Sequence, residues 1–198
     1  YRENVSKSIE LFHFLTENGL NRIVFSSTAA LYKGDDGSMV TESSILEPNS
    51  PYARTKLSVE MVLQDYCNAY SLRAISLRYF NPIGADPKMR SGPHGDNPTH
   101  ILGKLISVTN RDEPHFQVTG TRWPTRDGTG IRDYIHVWDL AEAHVKAVEE
   151  FETVTSDECP FLAINLGTGK GVTVLEFIRA YEEVLGDDIP QIDSDPRA

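Results

Sequence analysis

Tyr52 and Lys56 stand four residues apart in the sequence Tyr-Ala-Arg-Thr-Lys. Positions i and i+4 of a helix share one face, so a helical segment would place the phenol and the ammonium side by side. A neighbouring cation favours a phenolate, and the pKa of a tyrosine must fall by about three units, worth about 4 kcal/mol, before it is a useful base at neutral pH. The pair therefore predicts a base that takes a proton from an alcohol. By itself, the spacing is more typical of a solvated helix face.

Three hydroxyl side chains precede this pair, in Ser26-Ser27-Thr28. They follow an apolar run from Arg22 that is typical of a β-strand, and ligands of open parallel sheets bind at the carboxyl ends of the strands. Hydroxyl groups there can hold a substrate oxygen and pass on a proton. A Ser/Thr-rich turn is the structural alternative. The combination of a strand, three hydroxyl residues and a Tyr-x-x-x-Lys pair is far rarer than either part.

The segments that carry these residues alternate between helix and strand. Apolar periodicity predicts helices at 4–18 and 51–70, and strands at 22–27 and 73–79. Such alternation with short connections indicates a parallel sheet that is covered by helices on both faces. The predicted fold class is therefore α/β, with residues 1–80 forming the rear part of a Rossmann-type doubly wound sheet.

From Asn81 the sequence changes character, and residues 81–198 are predicted to form mainly a smaller α/β lobe. Residues 81–99 are rich in Pro, Gly, His and Asp, which is too irregular for a core element. The segment at about 131–165 is expected to return to the main sheet. The remaining predicted elements are helices at 100–110, 139–151 (capped by Asp139) and 173–185 (opened by a Thr173/Glu176 capping box), and strands at 116–119, 133–137 and 163–165.

Composition limits the classes of partner. The net charge of −10 argues against a nucleic-acid or anionic-membrane partner, because both repel an acidic surface. No apolar run reaches membrane-spanning length. The two cysteines, Cys67 and Cys159, are far apart, and neither they nor the six histidines show metal-ligand spacing, so no metal is expected. Both thiols are interpreted as reduced, in a cytoplasmic protein.

Two longer motifs stand beyond Tyr52. The first motif lies at the end of a predicted strand and reads Arg78-Tyr-Phe-Asn-Pro-Ile-Gly-Ala85. The second motif contains the predicted strand at 133–137 and reads Asp127-Gly-Thr-Gly-Ile-Arg-Asp-Tyr-Ile-His-Val137. Together with the hydroxyl run and the Tyr/Lys pair, they resemble the extended short-chain dehydrogenase/reductase family over essentially the whole chain, and within it the sugar-nucleotide epimerases. The resemblance implies NAD as cofactor and a catalytic trio that is formed here by Thr28, Tyr52 and Lys56.

The same resemblance implies roles for further residues. Asn81 and Arg132 would bind a substrate diphosphate, for which an amide and a planar guanidinium are suited. Arg197 matches a second arginine of this kind, and Thr28 would also contact the sugar. His100 stands where the family often has asparagine. The other implied binding residues are Asn4, Ser26, Tyr52, Lys56, Tyr79 and Phe80 for the cofactor, and Thr99, His100, Phe116, Gln117 and Val118 for the substrate.

The activity implied is NAD-dependent interconversion of UDP-galactose and UDP-glucose, through transient oxidation at sugar C4 to a 4-keto intermediate. The family also implies a homodimer, formed through helices 4–18 and 51–70. The alternatives are another NDP-sugar epimerase or dehydratase of the same family, or a non-catalytic NAD- or sugar-nucleotide-binding regulator. Ala29-Ala30 occupies the place of the dehydratases' Asp-Glu pair, and regulators usually lose the Tyr or the Lys.

The dinucleotide-binding glycine motif is expected upstream of Tyr1. The chain opens on a residue other than Met and already inside a predicted helix. Gly167-Thr-Gly-Lys-Gly171 does not replace this motif, because a phosphate-binding P-loop needs Ser or Thr after its Gly-Lys. It is predicted to be a turn before the helix that Thr173 caps. Residues 1–198 by themselves are therefore expected not to bind NAD.

Overall fold

The computed structural model describes residues 1–33, 39–95 and 97–195. Its elements alternate as the sequence predicts, and the α/β class is confirmed. In chain order they are α1 Lys7–Glu17, β1 Arg22–Thr28, α2 Pro51–Ala69, β2 Arg73–Tyr79, β3 Asn81–Ile83, α3 Ile101–Thr109, β4 Phe116–Thr119, β5 Ile131–His136, α4 Val137–Glu149, α5 Phe151–Val154, β6 Phe161–Leu166, β7 Gly171–Thr173, α6 Val174–Leu185 and β8 Gln191–Ser194.

The chain divides into two compact units. The first unit consists of residues 1–80 and 139–167, and the second of residues 81–138 and 168–198. The segment that rejoins the first unit thus begins at 139, and β5 lies in the second unit.

A three-stranded parallel sheet, in the order β1-β2-β6, forms the centre of the first unit. Successive side chains of a strand point to opposite faces, and β2 uses both faces. Ala74 packs with Phe12 and Leu63 of α1 and α2, whereas Ile75 and Leu77 belong to a second cluster with α4 and α5. Helices therefore cover both faces, which is why β2 is buried along nearly all of its length.

The boundaries of α2 follow from its terminal residues. The Ser50 hydroxyl accepts a hydrogen bond from the Ala53 N–H, and Pro51 occupies the first turn, where its missing N–H costs nothing. Helix α1 is preceded by one π-helical turn, Arg2–Ser6, and is followed by Gly19 at φ +72°. Glycine adopts this left-handed conformation without strain, so Gly19 ends the helix.

The second unit contains two small sheets, β3-β5-β7 and β4-β8. Its core joins α3, β4 and α6 through Leu105, Val118 and Ile178. The predicted capping box is confirmed: the Thr173 side chain accepts from the Glu176 N–H, and the Glu176 carboxylate accepts from the Thr173 N–H.

One local expectation was wrong, and the sequence did not predict strands β3 and β8. Asp139 does not cap α4, because the helix begins directly after β5 at Val137 and places Asp139 in its first turn. The irregular segment after Asn81 starts with a short strand, β3, which pairs with β5. The polar C-terminal stretch contains β8, which pairs with β4. In this pair Phe116 lies opposite Gln191, 75 residues later in the sequence.

The two cysteines differ in environment. Cys67 is buried in the core of the first unit, and burial raises the pKa of its thiol to about 11. Cys159 is exposed, and both thiols are free. Within the described ranges, no helix has the length and apolar character needed to cross a bilayer.

Candidate active site

Helix α2 carries Tyr52 and Lys56 one turn apart on the same face, as predicted. The Lys56 ammonium donates a hydrogen bond of 2.9 Å to the Ser26 carbonyl oxygen and lies 4.9 Å from the centre of the Phe25 ring. Partial burial lowers the pKa of Lys56. Tyr52 is 52% exposed, which leaves its phenol accessible to a ligand.

Thr28 is the last residue of β1 and lies beside Tyr79 in the register of the sheet. Its hydroxyl oxygen accepts a hydrogen bond from the Ala30 N–H, which caps the 3-10 turn Ala29–Leu31. Because that bond uses an oxygen lone pair, the hydroxyl proton of Thr28 stays available for a second acceptor. The turn thereby fixes the hydroxyl while leaving it able to donate.

A hydrogen-bonded group lies behind this threonine. The Tyr79 phenol oxygen is 2.6 Å from the Ser26 hydroxyl and 2.5 Å from Nε2 of His144 on α4. Burial raises the pKa of the Tyr79 phenol, the hydrogen bond with Ser26 lowers it in part, and the nearby Tyr52 raises it. The first unit therefore brings Ser26, Thr28, Tyr52, Lys56 and Tyr79 to the carboxyl end of its parallel sheet.

Behind these residues, a buried ion pair joins α2 to β2. The Arg78 guanidinium donates to both carboxylate oxygens of Glu60, at 3.2 and 2.7 Å, and to the Tyr32 hydroxyl at 2.8 Å. Burial lowers the pKa of Arg78, but the hydrogen bonds to Glu60 and Tyr32 outweigh it, so the pKa is raised overall. Sequence reasoning missed this network. The signal available in the sequence is the presence of polar residues within otherwise apolar segments, Glu60 in α2 and Arg78 in β2.

Asn4 contacts the same helix from the N-terminal side. Its amide donates to the Thr55 hydroxyl at 3.0 Å, and Thr55 donates to the Tyr52 carbonyl at 2.7 Å. Asn4 thus steadies the first turn of α2, beside the tyrosine. Phe80 follows β2 directly, and its N–H donates to the Leu166 carbonyl, which extends the pairing of β2 with β6.

In the second unit, Asn81 and Arg132 lie on the paired strands β3 and β5, with Asn81 opposite Tyr134, two residues after Arg132. The Asn81 amide donates to the Asp133 carbonyl at 2.9 Å, which uses one of its two N–H groups. Arg132 is exposed and donates to the carbonyl of Ile131. The carboxylate of the neighbouring Asp133 accepts hydrogen bonds from Thr168 and Gly169.

These last contacts also explain the glycine-rich segment after β6. The backbone N–H groups of Thr168 and Gly169, which would face the phosphates in a P-loop, donate to the Asp133 carboxylate at 2.9 and 2.8 Å. Gly169 has φ +72°, as a tight turn requires. The segment is a turn, as predicted.

The remaining predicted binding residues differ in environment. His100 caps α3, its Nδ1 accepting from the Gly103 N–H at 3.1 Å. Phe116 and Val118 are buried in the core, so only their backbone groups can reach a ligand, whereas the alternation of the strand exposes Gln117. Thr99 is exposed. Arg197 lies outside the described residues.

A parallel sheet with Tyr52 and Lys56 on a helix beside its carboxyl end is the arrangement typical of the short-chain dehydrogenase/reductase class. Residues 1–167 match the profile of the NAD dependent epimerase/dehydratase family, and the chain belongs to that family. The resemblance inferred from the motifs is thereby confirmed.

Individual relatives are similar over nearly the whole chain. The UDP-glucose 4-epimerase of Bacillus subtilis (strain 168) is 40% identical, across all of this chain and 58% of that protein. UDP-glucose 4-epimerase 2 of Oryza sativa subsp. japonica is 41% identical, across 97% of this chain and 47% of that protein. The chain spans about half the length of these curated relatives.

Solved structures show the same relationship. The crystal structure of UDP-glucose 4-epimerase from Brucella ovis in complex with NAD matches with a TM-score of 0.90 at 37% identity, over 100% of this chain and 60% of that one. A Stenotrophomonas maltophila UDP-glucose 4-epimerase with bound NAD and formylated UDP-arabinopyranose matches with a TM-score of 0.90 at 39% identity, over 99% of this chain and 58% of that one.

Proposed function

We propose that this chain forms the catalytic and substrate-binding part of an NAD-dependent UDP-glucose 4-epimerase and works within a longer protein. The reaction interconverts UDP-galactose and UDP-glucose through a 4-keto sugar. The observation that carries the proposal is the grouping of Thr28, Tyr52 and Lys56 at the carboxyl end of the parallel sheet, with Lys56 anchored on Ser26. The relatives named above support the choice of substrate.

The residues present fit a dinucleotide cofactor. Lys56 donates one of its three ammonium N–H groups to the Ser26 carbonyl and can donate the other two to ribose hydroxyls. Tyr79 and Phe80 are half-buried at the strand end, where a planar ring can stack. When bound, NAD supplies the oxidising power that converts the C4 alcohol to a ketone and later restores it.

The proton chemistry belongs to three side chains. The Tyr52 phenolate accepts the proton of the sugar 4-hydroxyl, and the same phenol returns it when the opposite epimer forms. The Lys56 ammonium, one helical turn away, stabilises the phenolate. Thr28 donates its hydroxyl proton to the substrate oxygen, because the hydrogen bond from the Ala30 N–H occupies only one lone pair and leaves that proton free.

In the second unit, we propose that guanidinium and amide groups bind the nucleotide part of the substrate. We assign the diphosphate to Arg132, to the free N–H of Asn81 and to Arg197, since guanidinium groups bind phosphate oxygens in pairs. The side chain of Gln117 and the backbone of Phe116–Val118 would recognise the uracil edge. Thr99 and His100, at the start of α3, complete the set of nucleotide contacts.

The decisive experiment is Tyr52→Phe in the complete enzyme. Losing the acid–base group should lower kcat for UDP-galactose by about 10²-fold or more, with folding and NAD content unchanged. Tyr70→Phe is the matched control, because Tyr70 is equally exposed at the other end of α2. A Tyr52→Phe enzyme with near-normal turnover would refute the assignment.

We also propose a homodimer through residues 4–18 and 51–70. Leu11 and Phe14 of α1 and Met61 of α2 are more than half exposed, although large apolar side chains are costly in water. Phe14→Glu should raise the dimer dissociation constant at least about tenfold in sedimentation equilibrium. Val184→Glu, at an exposed valine of α6, should leave it unchanged. Equal effects of both variants would exclude this surface.

A further inference from the structure

His144 is not a member of the proposed catalytic trio, but it contacts Tyr79, which is hydrogen-bonded to Ser26 beside Lys56. It lies on α4, 65 residues after Tyr79, and its Nε2 is 2.5 Å from the Tyr79 phenol oxygen. The two rings meet edge to face, with centroids 5.4 Å apart and planes at 60°. Both a hydrogen bond and ring packing therefore fix the position of Tyr79.

The second nitrogen of the imidazole determines which way this hydrogen bond runs. Nδ1 of His144 lies 2.8 Å from the Leu140 carbonyl oxygen, one turn earlier in α4. A carbonyl can only accept, so Nδ1 carries the proton of the neutral ring and Nε2 presents a lone pair. The Tyr79 phenol must then donate to His144.

The Ser26 hydroxyl completes the chain of hydrogen bonds. The Tyr79 hydroxyl also donates to the Ser26 hydroxyl oxygen at 2.6 Å, so its one proton is shared between two acceptors, Ser26 Oγ and Nε2 of His144. The carbonyl of the same Ser26 accepts from Lys56. One continuous path thus runs from the backbone of α4, through His144, Tyr79 and Ser26, to the catalytic lysine.

We propose that His144 is a positioning residue for the epimerase reaction: through Tyr79 and Ser26 it fixes the strand end that holds Lys56, and it keeps Tyr79 neutral as a committed hydrogen-bond donor. This inference rests on the proposed function. The second effect matters because Tyr79 lies close enough to Tyr52 for their charges to interact. A Tyr79 that is locked as a donor leaves Tyr52 as the base.

The test is a double-mutant cycle in the complete enzyme, with His144→Leu, Tyr79→Phe and the double variant. His144→Leu should lower kcat about tenfold, the size of one lost hydrogen bond, and change the KM for UDP-galactose less than about twofold. The same substitution in the Tyr79→Phe background should have no further effect on kcat. His144→Gln, which retains an acceptor, should recover most of the loss. Lys146→Leu, exposed on the same helix, is the control and should match the parent.

A spectroscopic measurement separates this proposal from the proposed function. In ¹⁵N-histidine NMR, His144 should show a protonated Nδ1 and a hydrogen-bonded, unprotonated Nε2, and the Nε2 resonance should shift in Tyr79→Phe. Additive effects in the cycle, or an Nε2–H tautomer, would overturn the role of His144 even if the parent enzyme turns over UDP-galactose. Absence of turnover in the parent would overturn the proposed function, and the tautomer would still decide whether the path exists.

Discussion

The buried ion pair between Glu60 and Arg78 offers the sharpest test of how the active-site elements are held together. Both side chains are only 4–5% exposed, and the carboxylate accepts from Arg78 twice and from Ser76 at 2.7 Å. Glu60→Gln retains the size of the side chain but removes its charge. The Arg78 guanidinium would then remain buried, with the Tyr32 hydroxyl and a neutral amide as partners.

Leaving one charge of a buried pair uncompensated costs about 3–5 kcal/mol, because the guanidinium has already lost its hydration. Against a total stability of about 5–15 kcal/mol, that is a large fraction. We therefore expect the free energy of unfolding, from urea denaturation of the purified protein at pH 7, to fall by about 3–5 kcal/mol in Glu60→Gln.

The chain provides a matched control in Glu152→Gln. Glu152 also pairs with arginines, Arg22 at 2.5 Å and Arg73 at 2.6 Å, but it is more than half exposed. Exposed pairs contribute about 0–1 kcal/mol, so this variant should lose no more than that. Replacing both members of the buried pair, in Glu60→Met with Arg78→Met, should recover most of the stability lost in Glu60→Gln. Equal losses in Glu60→Gln and Glu152→Gln would refute the reasoning.

Two further predictions concern the second unit. A hydrogen bond from Arg126, and one from the Thr173 N–H, lower the pKa of Glu176 to about 2. A carboxylate with a lowered pKa stabilises the fold above its unfolded value of about 4.3, and this contribution is lost as pH falls toward about 2. Glu176→Gln should therefore lower the urea midpoint at pH 7, and the difference from the parent should shrink between pH 4 and 2; a difference that is independent of pH would contradict this. Arg132→Ala in the complete enzyme should weaken UDP binding by calorimetry about 30-fold, worth about 2 kcal/mol, and leave NAD content unchanged; equal loss of both ligands would indicate a structural role.

The sequence by itself determined the features that depend on near neighbours. The capping box of Thr173 and Glu176 spans three residues, and the shared helix face of Tyr52 and Lys56 spans four, so backbone geometry alone brings each pair together. The helix ends at Ser50 and Gly19 follow equally local rules.

The motifs also identified the family and the order of the elements. They did not determine in which direction each side chain points or what it contacts. Phe116 and Val118 match implied binding positions, yet their side chains point into the core because the strand alternates around Gln117. His100 matches another such position, and the structure shows that its ring caps α3. A motif shows that a residue occupies a known position of the family. The contacts of that residue depend on which parts of the chain pack against it.

Only the tertiary structure decided the contacts between residues distant in sequence. His144 meets Tyr79 across 65 residues, and β8 pairs with β4 across 75. Arg78 and Glu60 are only 18 residues apart, but their ion pair forms because α2 packs against β2. Each contact requires ordering the intervening chain, and the free energy for that comes from burying apolar surface throughout the unit. No local pattern contains that information, so the residues around Tyr52 could be found by motif, while the residues that hold them in place could not.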